Sequence, residues 1–204
     1  MLPHFRILAA TVALLACPLL LHALTVPDDL PDGVYEIDWA PGTKGQIASW
    51  TYFDIPHDVN ITAIKFNGVV PLPVGGHDVD CLLDDRRLEN ITLSDFTRAD
   101  DQTKAMTMLG NWCEMATYLH KDAMAFALYN DMIWYVCNWD NMHNFFSNIQ
   151  RCSKLEIHDA AAWMDRRCGA DKRAELSIGY WQKTYGRSQR FGDICNFKDL
   201  WSGN

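Results

Sequence analysis

Basic residues are scarce in this chain, and long hydrophobic runs are scarcer. The 204 residues include 18 lysines and arginines against 26 aspartates and glutamates, which gives a formal net charge of −8. Binding to nucleic acid without sequence preference depends on neutralising phosphates, so we expect no nucleic-acid partner. The one long apolar run lies at residues 7–21, which excludes a protein with several membrane spans.

The sequence patterns of several enzyme and metal-binding classes are also missing. The chain has no His-Glu-x-x-His pattern of a zinc protease and no Gly-x-Ser-x-Gly elbow of an α/β-hydrolase. It has no Cys-x-x-Cys pair of a zinc ribbon or a thioredoxin-like protein. We therefore predict no catalytic residue, no cofactor and no metal ligand, and the sequence favours a protein that is not an enzyme.

Residues 1–23 have the pattern of a secretory signal peptide. Arg6 supplies the basic start, residues 7–21 are mostly apolar, and Ala23 is a small residue at a suitable cleavage point. The alternative is a membrane anchor, but this run is shorter than the ~20 residues that a spanning helix needs, and Pro18 interrupts it. We predict that the segment is cleaved and that the mature chain is extracellular, with no stable membrane insertion.

Six cysteines remain beyond the signal peptide, and an even set in an exported chain predicts a disulfide framework. Buried free thiols are the alternative. The six are Cys81, Cys113, Cys137, Cys152, Cys168 and Cys195. Two Asn-x-Thr sequons begin at Asn60 and Asn90, and in a secreted glycoprotein they predict surface positions.

The charge and the cysteines divide one domain into two parts. Residues 24–101 hold 15 acidic and 5 basic side chains, whereas all six cysteines lie from Cys81 onward. We interpret residues 24–80 as an acidic lead-in of strands and loops, and residues 81–204 as the disulfide-crosslinked core of the same domain.

Residue periodicity predicts an α+β fold. A capping box at Ser153 and an apolar stripe ending at Cys168 predict one helix, and another helix starts near Thr92 or Ser94. Alternating or β-branched runs predict extended segments at 34–39, 59–70, 124–129, 132–137 and 176–181. Short connections favour a two-layer sandwich with an antiparallel or mixed sheet and both helices packed on one face.

The ordered motifs of residues 81–197 resemble those of small cysteine-rich secreted fungal proteins. The motifs are Trp112-Cys113, Tyr135-Val136-Cys137-Asn138, Asn148 to Cys152, Cys168-Gly169, Tyr185-Gly186-Arg187 and Ile194-Cys195-Asn196. The order of helices and strands is similar to the killer-toxin and secreted-effector α/β sandwich. The resemblance implies a virulence or antagonism factor that binds a host or competitor macromolecule. It also implies three disulfide pairs, Cys113–Cys152, Cys81–Cys168 and Cys137–Cys195.

A candidate binding patch combines aromatic and basic residues near the C-terminal half of the chain. Its members are Trp139, Phe145, Tyr185, Arg187 and Arg190. Basic and aromatic side chains together can stack on bases or sugars. The alternative is that Lys183–Arg190 forms a polar loop with its aromatic side chains packed. Trp201 is a further candidate for an exposed aromatic residue.

Three other functions stay open at this point. His77–Asp80 and Asp54–Asp58 could each place metal ligands along one loop, although a solvated acidic loop is the simpler interpretation. Paired carboxylates could serve a small secreted hydrolase, because glycosidases use two carboxyl groups. The candidates are Asp28-Asp29, Asp84-Asp85 and Asp100-Asp101. Trp139 and its aromatic neighbours could serve a carbohydrate-binding module of the cell wall.

Overall fold

A computed structural model describes most of the predicted core. The described residues are 26–39, 47–58, 76–82, 99–115, 118–120, 123–138, 149–170, 172–190, 192 and 194–195. Several predictions lie outside them. These are the signal peptide, both sequons at Asn60 and Asn90, the extended segment 59–70, the start of the first helix, the carboxylate pair Asp84-Asp85, and Trp139, Phe145 and Trp201.

Two helices and nine strands make up the described part of the chain. In order they are β1 (Gly33–Trp39), β2 (Ile47–Phe53), β3 (His77–Cys81), α1 (Ala99–Glu114), β4 (Leu119–His120), β5 (Ala123–Tyr129), β6 (Met132–Asn138), β7 (Ile149–Gln150), α2 (Lys154–Cys168), β8 (Ala174–Ile178) and β9 (Lys183–Gln189).

Seven of these strands form one antiparallel sheet in the order β2-β1-β5-β6-β9-β8-β3. The short strands β4 and β7 pair with each other. Helix α1 packs on β5 and β6, and α2 packs on β3 and β8. The α+β class is therefore confirmed, and the sheet is antiparallel rather than mixed.

The central strands are buried on both faces of the sheet because a second layer covers the face opposite the helices. Alanines at 123, 125 and 127 face the helices, and their small side chains let α1 approach β5 closely. Phe126 and Tyr135 face the other way, into a second core that includes Val26 and Ile194. The chain near Val26 and near Ile194 thus covers the sheet on this face.

Helix α2 has the ends that its sequence predicts. The Ser153 hydroxyl accepts a hydrogen bond from the backbone N–H of Glu156 at 3.1 Å, which satisfies one free donor of the first turn. After the last turn, Gly169 has a φ of 99° and its N–H donates to the Asp165 carbonyl at 2.9 Å. Glycine adopts this backbone conformation without steric cost, so the capping pattern correctly marks both ends.

The structure contains strands at two segments for which the sequence suggests loops. Lys183–Arg190 forms β9, between β6 and β8, apart from its last residue. His77–Asp80 lies in β3 at one edge of the sheet. The final strand predicted at 176–181 is β8, which begins at Ala174 and ends at Ile178. In β9 polar side chains hide the strand signal, because the fold buries Lys183 and Arg187 by pairing them with carboxylates of α2. In β3 the two aspartates are exposed at the sheet edge.

Three disulfides join the segments of the fold. Cys113–Cys152 links the end of α1 to the start of α2, Cys81–Cys168 links β3 to the end of α2, and Cys137–Cys195 links β6 to the C-terminal segment. The disulfide framework is confirmed with the three pairs that the family resemblance implies.

Candidate binding surface at the edge of the sheet

The structure does not present the three described members of the predicted patch to solvent. Tyr185, Arg187 and Arg190 are all buried, with relative exposures of 0%, 1% and 8%. They lie on or just after β9, where each side chain forms hydrogen bonds inside the fold. The expectation that these residues form a surface patch is therefore corrected.

Arg187 holds the end of α2 against the sheet. Its Nε donates to the Lys172 carbonyl at 2.7 Å, and one Nη2 hydrogen goes to the Gly169 carbonyl at 2.6 Å. Its Nη1 forms a salt bridge with the Asp165 carboxylate. The guanidinium group thus satisfies two carbonyls beyond the helix end and one carboxylate, which explains its burial on an otherwise apolar face.

Arg190 joins the N-terminal lead-in to the β5–β6 turn. Its guanidinium donates to the Asp28 carbonyl, to the Leu30 carbonyl at 3.2 Å and to the Asn130 carbonyl at 3.1 Å. A charged group that bonds three carbonyls of two segments has a structural role. It positions the lead-in behind the sheet.

Lys183, Glu156 and Tyr185 form a buried polar cluster beneath the first turn of α2. The Lys183 ammonium donates to Glu156 Oε2 at 2.9 Å and to the Arg151 carbonyl at 2.6 Å, and the Tyr185 hydroxyl donates to the same carboxylate oxygen. Burial lowers the pKa of Lys183 and raises the pKa of Tyr185 well above its ordinary value. The three groups satisfy one another, so the cluster connects α2 to β9.

The residues suggested as metal ligands are separated by the pleat of β3. The His77 ring packs against Trp163 of α2, with ring centroids 4.3 Å apart, whereas Asp78 and Asp80 alternate to the opposite face. In the second suggested loop, the His57 ring packs against Tyr129, 4.7 Å away. Within the described residues, no group of three or more His, Cys, Asp or Glu side chains is placed to hold a metal ion.

The two edges of the large sheet differ in their chemistry. The β3 edge is five residues long, exposes Asp78 and Asp80, and is crosslinked to α2 through Cys81. The β2 edge is seven residues long, Ile-Ala-Ser-Trp-Thr-Tyr-Phe, and contains no charged residue and no proline. Charges on an edge strand discourage pairing with another chain, so β3 has this protection and β2 lacks it.

Two aromatic side chains project from β2 on the face opposite the helices. Trp50 is 38% exposed and Tyr52 is 47% exposed. Both rest on Tyr35 of β1, at ring-centroid distances of 6.4 and 5.3 Å, and Tyr35 stacks on Phe126 of β5 at 5.0 Å. We call Trp50, Tyr52 and the outer strand β2 the aromatic edge. Its rings are supported from below, which reduces the entropy lost when a partner covers them.

Local bonds fix the orientation of this surface. The Tyr52 hydroxyl donates to the Asp32 carbonyl at 3.2 Å, and its ring crosses Gly33, where any Cβ would overlap it. Burial, helped by the neighbouring Tyr52, raises the pKa of Tyr35 to about 12, and its hydroxyl donates to the Pro31 carbonyl at 2.6 Å. Tyr35 is therefore a neutral donor at physiological pH.

The surroundings of the aromatic edge are acidic. Residues 26–58 contain seven aspartates and glutamates and one lysine. Asp38 lies directly beside the edge, because its Oδ2 accepts a hydrogen bond from the Ser49 hydroxyl at 2.9 Å. The sequence analysis missed β2, although its alternating aromatic and small polar residues are a strand signal.

The described helices include none that is long and apolar enough to cross a membrane. Comparison with known proteins found no matching family model, no matching characterised protein and no matching solved structure. The functional interpretation therefore rests on the molecule's own surfaces.

Proposed function

We propose that this chain is a secreted, effector-like protein without catalytic activity, which binds a host or competitor protein through its aromatic edge. Export is supported by the N-terminal signal pattern and by three disulfides, which are typical of oxidising compartments. The resemblance to small secreted fungal proteins supports a role in virulence or antagonism.

The observation that carries the proposal is the contrast between the two sheet edges. An uncharged edge of seven residues with two half-exposed aromatic side chains invites association, and natural proteins usually blunt such an edge. The opposite edge of the same sheet is blunted by two aspartates. Among the described residues no strand pairs with the outer side of β2, and we infer that a partner does so.

The chemistry of the edge defines the partner. An exposed strand edge offers backbone N–H and C=O groups in the register of an extended peptide, and alternate side chains supply specificity. Tryptophan and tyrosine are the side chains most often found at the energetic centre of interfaces. The acidic surroundings favour a basic partner through charge complementarity. The partner segment is therefore an extended, basic stretch of polypeptide.

The test compares variants of the exported, disulfide-bonded chain. Wild-type protein is applied to plant tissue and to competing fungal cells, and saturable binding and cell death are measured. We expect Trp50→Ala/Tyr52→Ala to weaken binding at least tenfold, because each aromatic anchor contributes about 1–2 kcal/mol or more. Thr51 is exposed on the other face of the same strand, and Thr51→Lys is expected to weaken binding too, because a charge on an edge strand discourages pairing with another chain.

Tyr180→Ala is the matched control, because Tyr180 is 89% exposed in the β8–β9 turn, outside the aromatic edge. We expect it to bind as the wild type does. Wild-type protein that binds neither cell type and causes no response would overturn the proposal. Equal binding by the Trp50→Ala/Tyr52→Ala variant would leave a binding protein but would exclude this edge as its site.

A further inference from the structure

The two faces of strand β2 present different chemistry beside its outer side. Trp50 and Tyr52 lie on the face opposite the helices, where both rest on Tyr35. Ser49 and Thr51 alternate to the helix face, and both are exposed. This face stays open at β2 because α1 packs mainly on β5 and β6, further inside the sheet.

Two carboxylates of β1 lie directly behind these small side chains. In the strand register Glu36 is opposite Thr51, and Asp38 is opposite Ser49. Opposite residues of an antiparallel pair project from the same face of the sheet, so both carboxylates share the helix face with Ser49 and Thr51. The Asp38 carboxylate reaches across to β2, because its Oδ2 accepts a hydrogen bond from the Ser49 hydroxyl at 2.9 Å. We call Glu36 and Asp38 the acidic pair, which lies one strand away from the outer side of β2.

The acidic pair lacks a counter-charge within the part of the chain that the structure describes. Neither carboxylate forms an ion pair with a described lysine, arginine or histidine. Both side chains are partly buried, and burial together with the charge of Asp38 raises the pKa of Glu36, against an opposing effect of His120. Like charges two residues apart on one face repel each other, so a cation placed beside both would stabilise them.

A strand added to β2 would bring such a cation within reach of the acidic pair. Neighbouring strands lie about 4.8 Å apart, so the added strand would run roughly 10 Å from β1. A lysine that projects on the helix face extends a long, flexible stem across the short side chains of Ser49 and Thr51. The next residue of the added strand projects to the other face and meets the exposed rings of Trp50 and Tyr52.

The two faces together define the residue pattern of the partner. We propose that the outer side of β2 binds an extended polypeptide segment in which apolar residues alternate with lysine or arginine. The apolar side chains cover Trp50 and Tyr52, and the basic side chains pair with Glu36 and Asp38. Added strands gain affinity from backbone hydrogen bonds and specificity from alternate side chains. This inference rests on the proposed function, and it narrows the partner from a basic stretch to a strand with one apolar and one basic face.

The experiment titrates peptides with blocked ends into the ¹⁵N-labelled, disulfide-bonded chain and follows the backbone amide signals of β2 by NMR. Each peptide matches the seven residues of β2 in length. The first alternates valine and lysine, the second has the same composition with its lysines adjacent, and the third alternates valine and serine. We expect the alternating lysine peptide to shift the β2 signals saturably and to bind about tenfold more tightly than the other two.

Two variants with the same change in charge separate the acidic pair from general attraction. Glu36→Gln/Asp38→Asn removes both charges but keeps an acceptor for the Ser49 hydroxyl. We expect it to weaken binding of the lysine peptide about tenfold and to leave binding of the serine peptide unchanged. Asp78→Asn/Asp80→Asn is the matched control, because it removes two charges with the same spacing from the opposite edge of the sheet. We expect it to bind the lysine peptide as the wild type does.

Equal weakening by the two variants would overturn the inference, because the attraction would then come from the net charge of the chain. So would equal binding of the two lysine peptides, or an absence of shifts in β2. Serine-peptide binding as tight as that of the alternating lysine peptide would leave β2 as an open edge but would contradict the basic face of the partner. The proposed function is tested separately by the binding of Trp50→Ala/Tyr52→Ala to cells, so the two failures are distinguishable.

Discussion

Single residues in the middle of this sheet determine whether buried polar groups find partners. Tyr135 of β6 and Glu175 of β8 are both opposite Gly186 of β9 in the strand register. The Tyr135 side chain crosses the glycine, and its hydroxyl donates to Glu175. The glycine is required because the ring occupies the space where a Cβ would be. A side chain at position 186 would separate the pair.

Replacing this glycine is therefore expected to be costly. In Gly186→Ala the new Cβ overlaps the Tyr135 ring, and ring movement breaks the hydrogen bond to the buried Glu175. We expect a loss of about 2–4 kcal/mol in the free energy of unfolding, measured by denaturant titration.

Gly179→Ala is the matched control for this substitution. A Cβ at Gly179 would meet only the Gly76 carbonyl, at an ordinary contact distance of 3.7 Å. We expect a change within about 0.5 kcal/mol. Equal stability of Gly186→Ala and Gly179→Ala would show that the ring does not cross the strand as described.

Alkaline pH is expected to destabilise the fold through its buried tyrosines. Burial raises the pKa of Tyr35 to about 12 and the pKa values of Tyr135 and Tyr185 well above 10. In the unfolded chain these groups ionise near pH 10, so above that pH the folded state holds more protons. Stability is full below pH 10 and falls as the pH rises, by up to about 1.4 kcal/mol per pH unit for each tyrosine.

Denaturant titrations between about pH 8 and pH 11, with tyrosinate absorbance as the second readout, measure this effect. Lys183 works in the opposite direction below its unfolded pKa near 10.4, because its own folded pKa is lowered. The variant Tyr185→Phe removes one buried tyrosine hydroxyl and keeps Lys183. It should therefore lose less unfolding free energy above pH 10 than the wild type does. Stability that does not change from pH 10 to pH 11 would contradict the burial of these hydroxyl groups.

At the scale of secondary structure, the helices and strands with a clear local sequence pattern were the ones predicted correctly. The ends of α2 were predicted correctly because helix capping depends on local residues, here Ser153 and Gly169. Strands β5 and β6 were also predicted, because their residues are apolar apart from Asn138 at the end of β6. Strand β9 could not be predicted, because Lys183 and Arg187 are buried through partners on α2 and on the segments before and after it, which no local pattern reveals.

The cap of α2 gives the prediction at this scale. In Ser153→Ala the N–H of Glu156 loses its acceptor, and we expect a loss of about 1 kcal/mol in unfolding free energy. Ser153→Asp keeps a side-chain acceptor at the same position and should lose much less. Thermal or denaturant unfolding compares the two, and an equal loss in both variants would mean that the hydroxyl bond is not what the first turn depends on.

At the scale of the whole molecule, three crosslinks connect parts of the chain that are distant in sequence. The pairs are 87, 39 and 58 residues apart for Cys81–Cys168, Cys113–Cys152 and Cys137–Cys195. Spacing alone permits 15 pairings of six cysteines, so the correct set came from the family resemblance and not from the residues. The aromatic edge had no such help and was found only in the structure.

Removal of individual disulfides tests how the crosslinks stabilise the fold. The loop-entropy model assigns about 4–5 kcal/mol to each, with only small differences among these loop lengths. Cys137 and Cys195 are fully buried, whereas Cys81 is exposed. We expect Cys137→Ala/Cys195→Ala to lose about 1–2 kcal/mol more than Cys81→Ala/Cys168→Ala, because it leaves the larger cavity: Cys168 is only partly buried. Denaturant titration measures both, and the reverse order would show that loop length dominates.

The central claim is that the aromatic edge contacts a partner outside the producing cell. The most direct measurement places a photo-crosslinking phenylalanine derivative at Tyr52 or at Tyr180 of the exported chain, which is applied to plant tissue or to competing fungal cells and irradiated. The account predicts a discrete adduct from position 52 that excess unmodified chain competes away, and none from position 180. Identical patterns from both positions, or no adduct that can be competed, would contradict it.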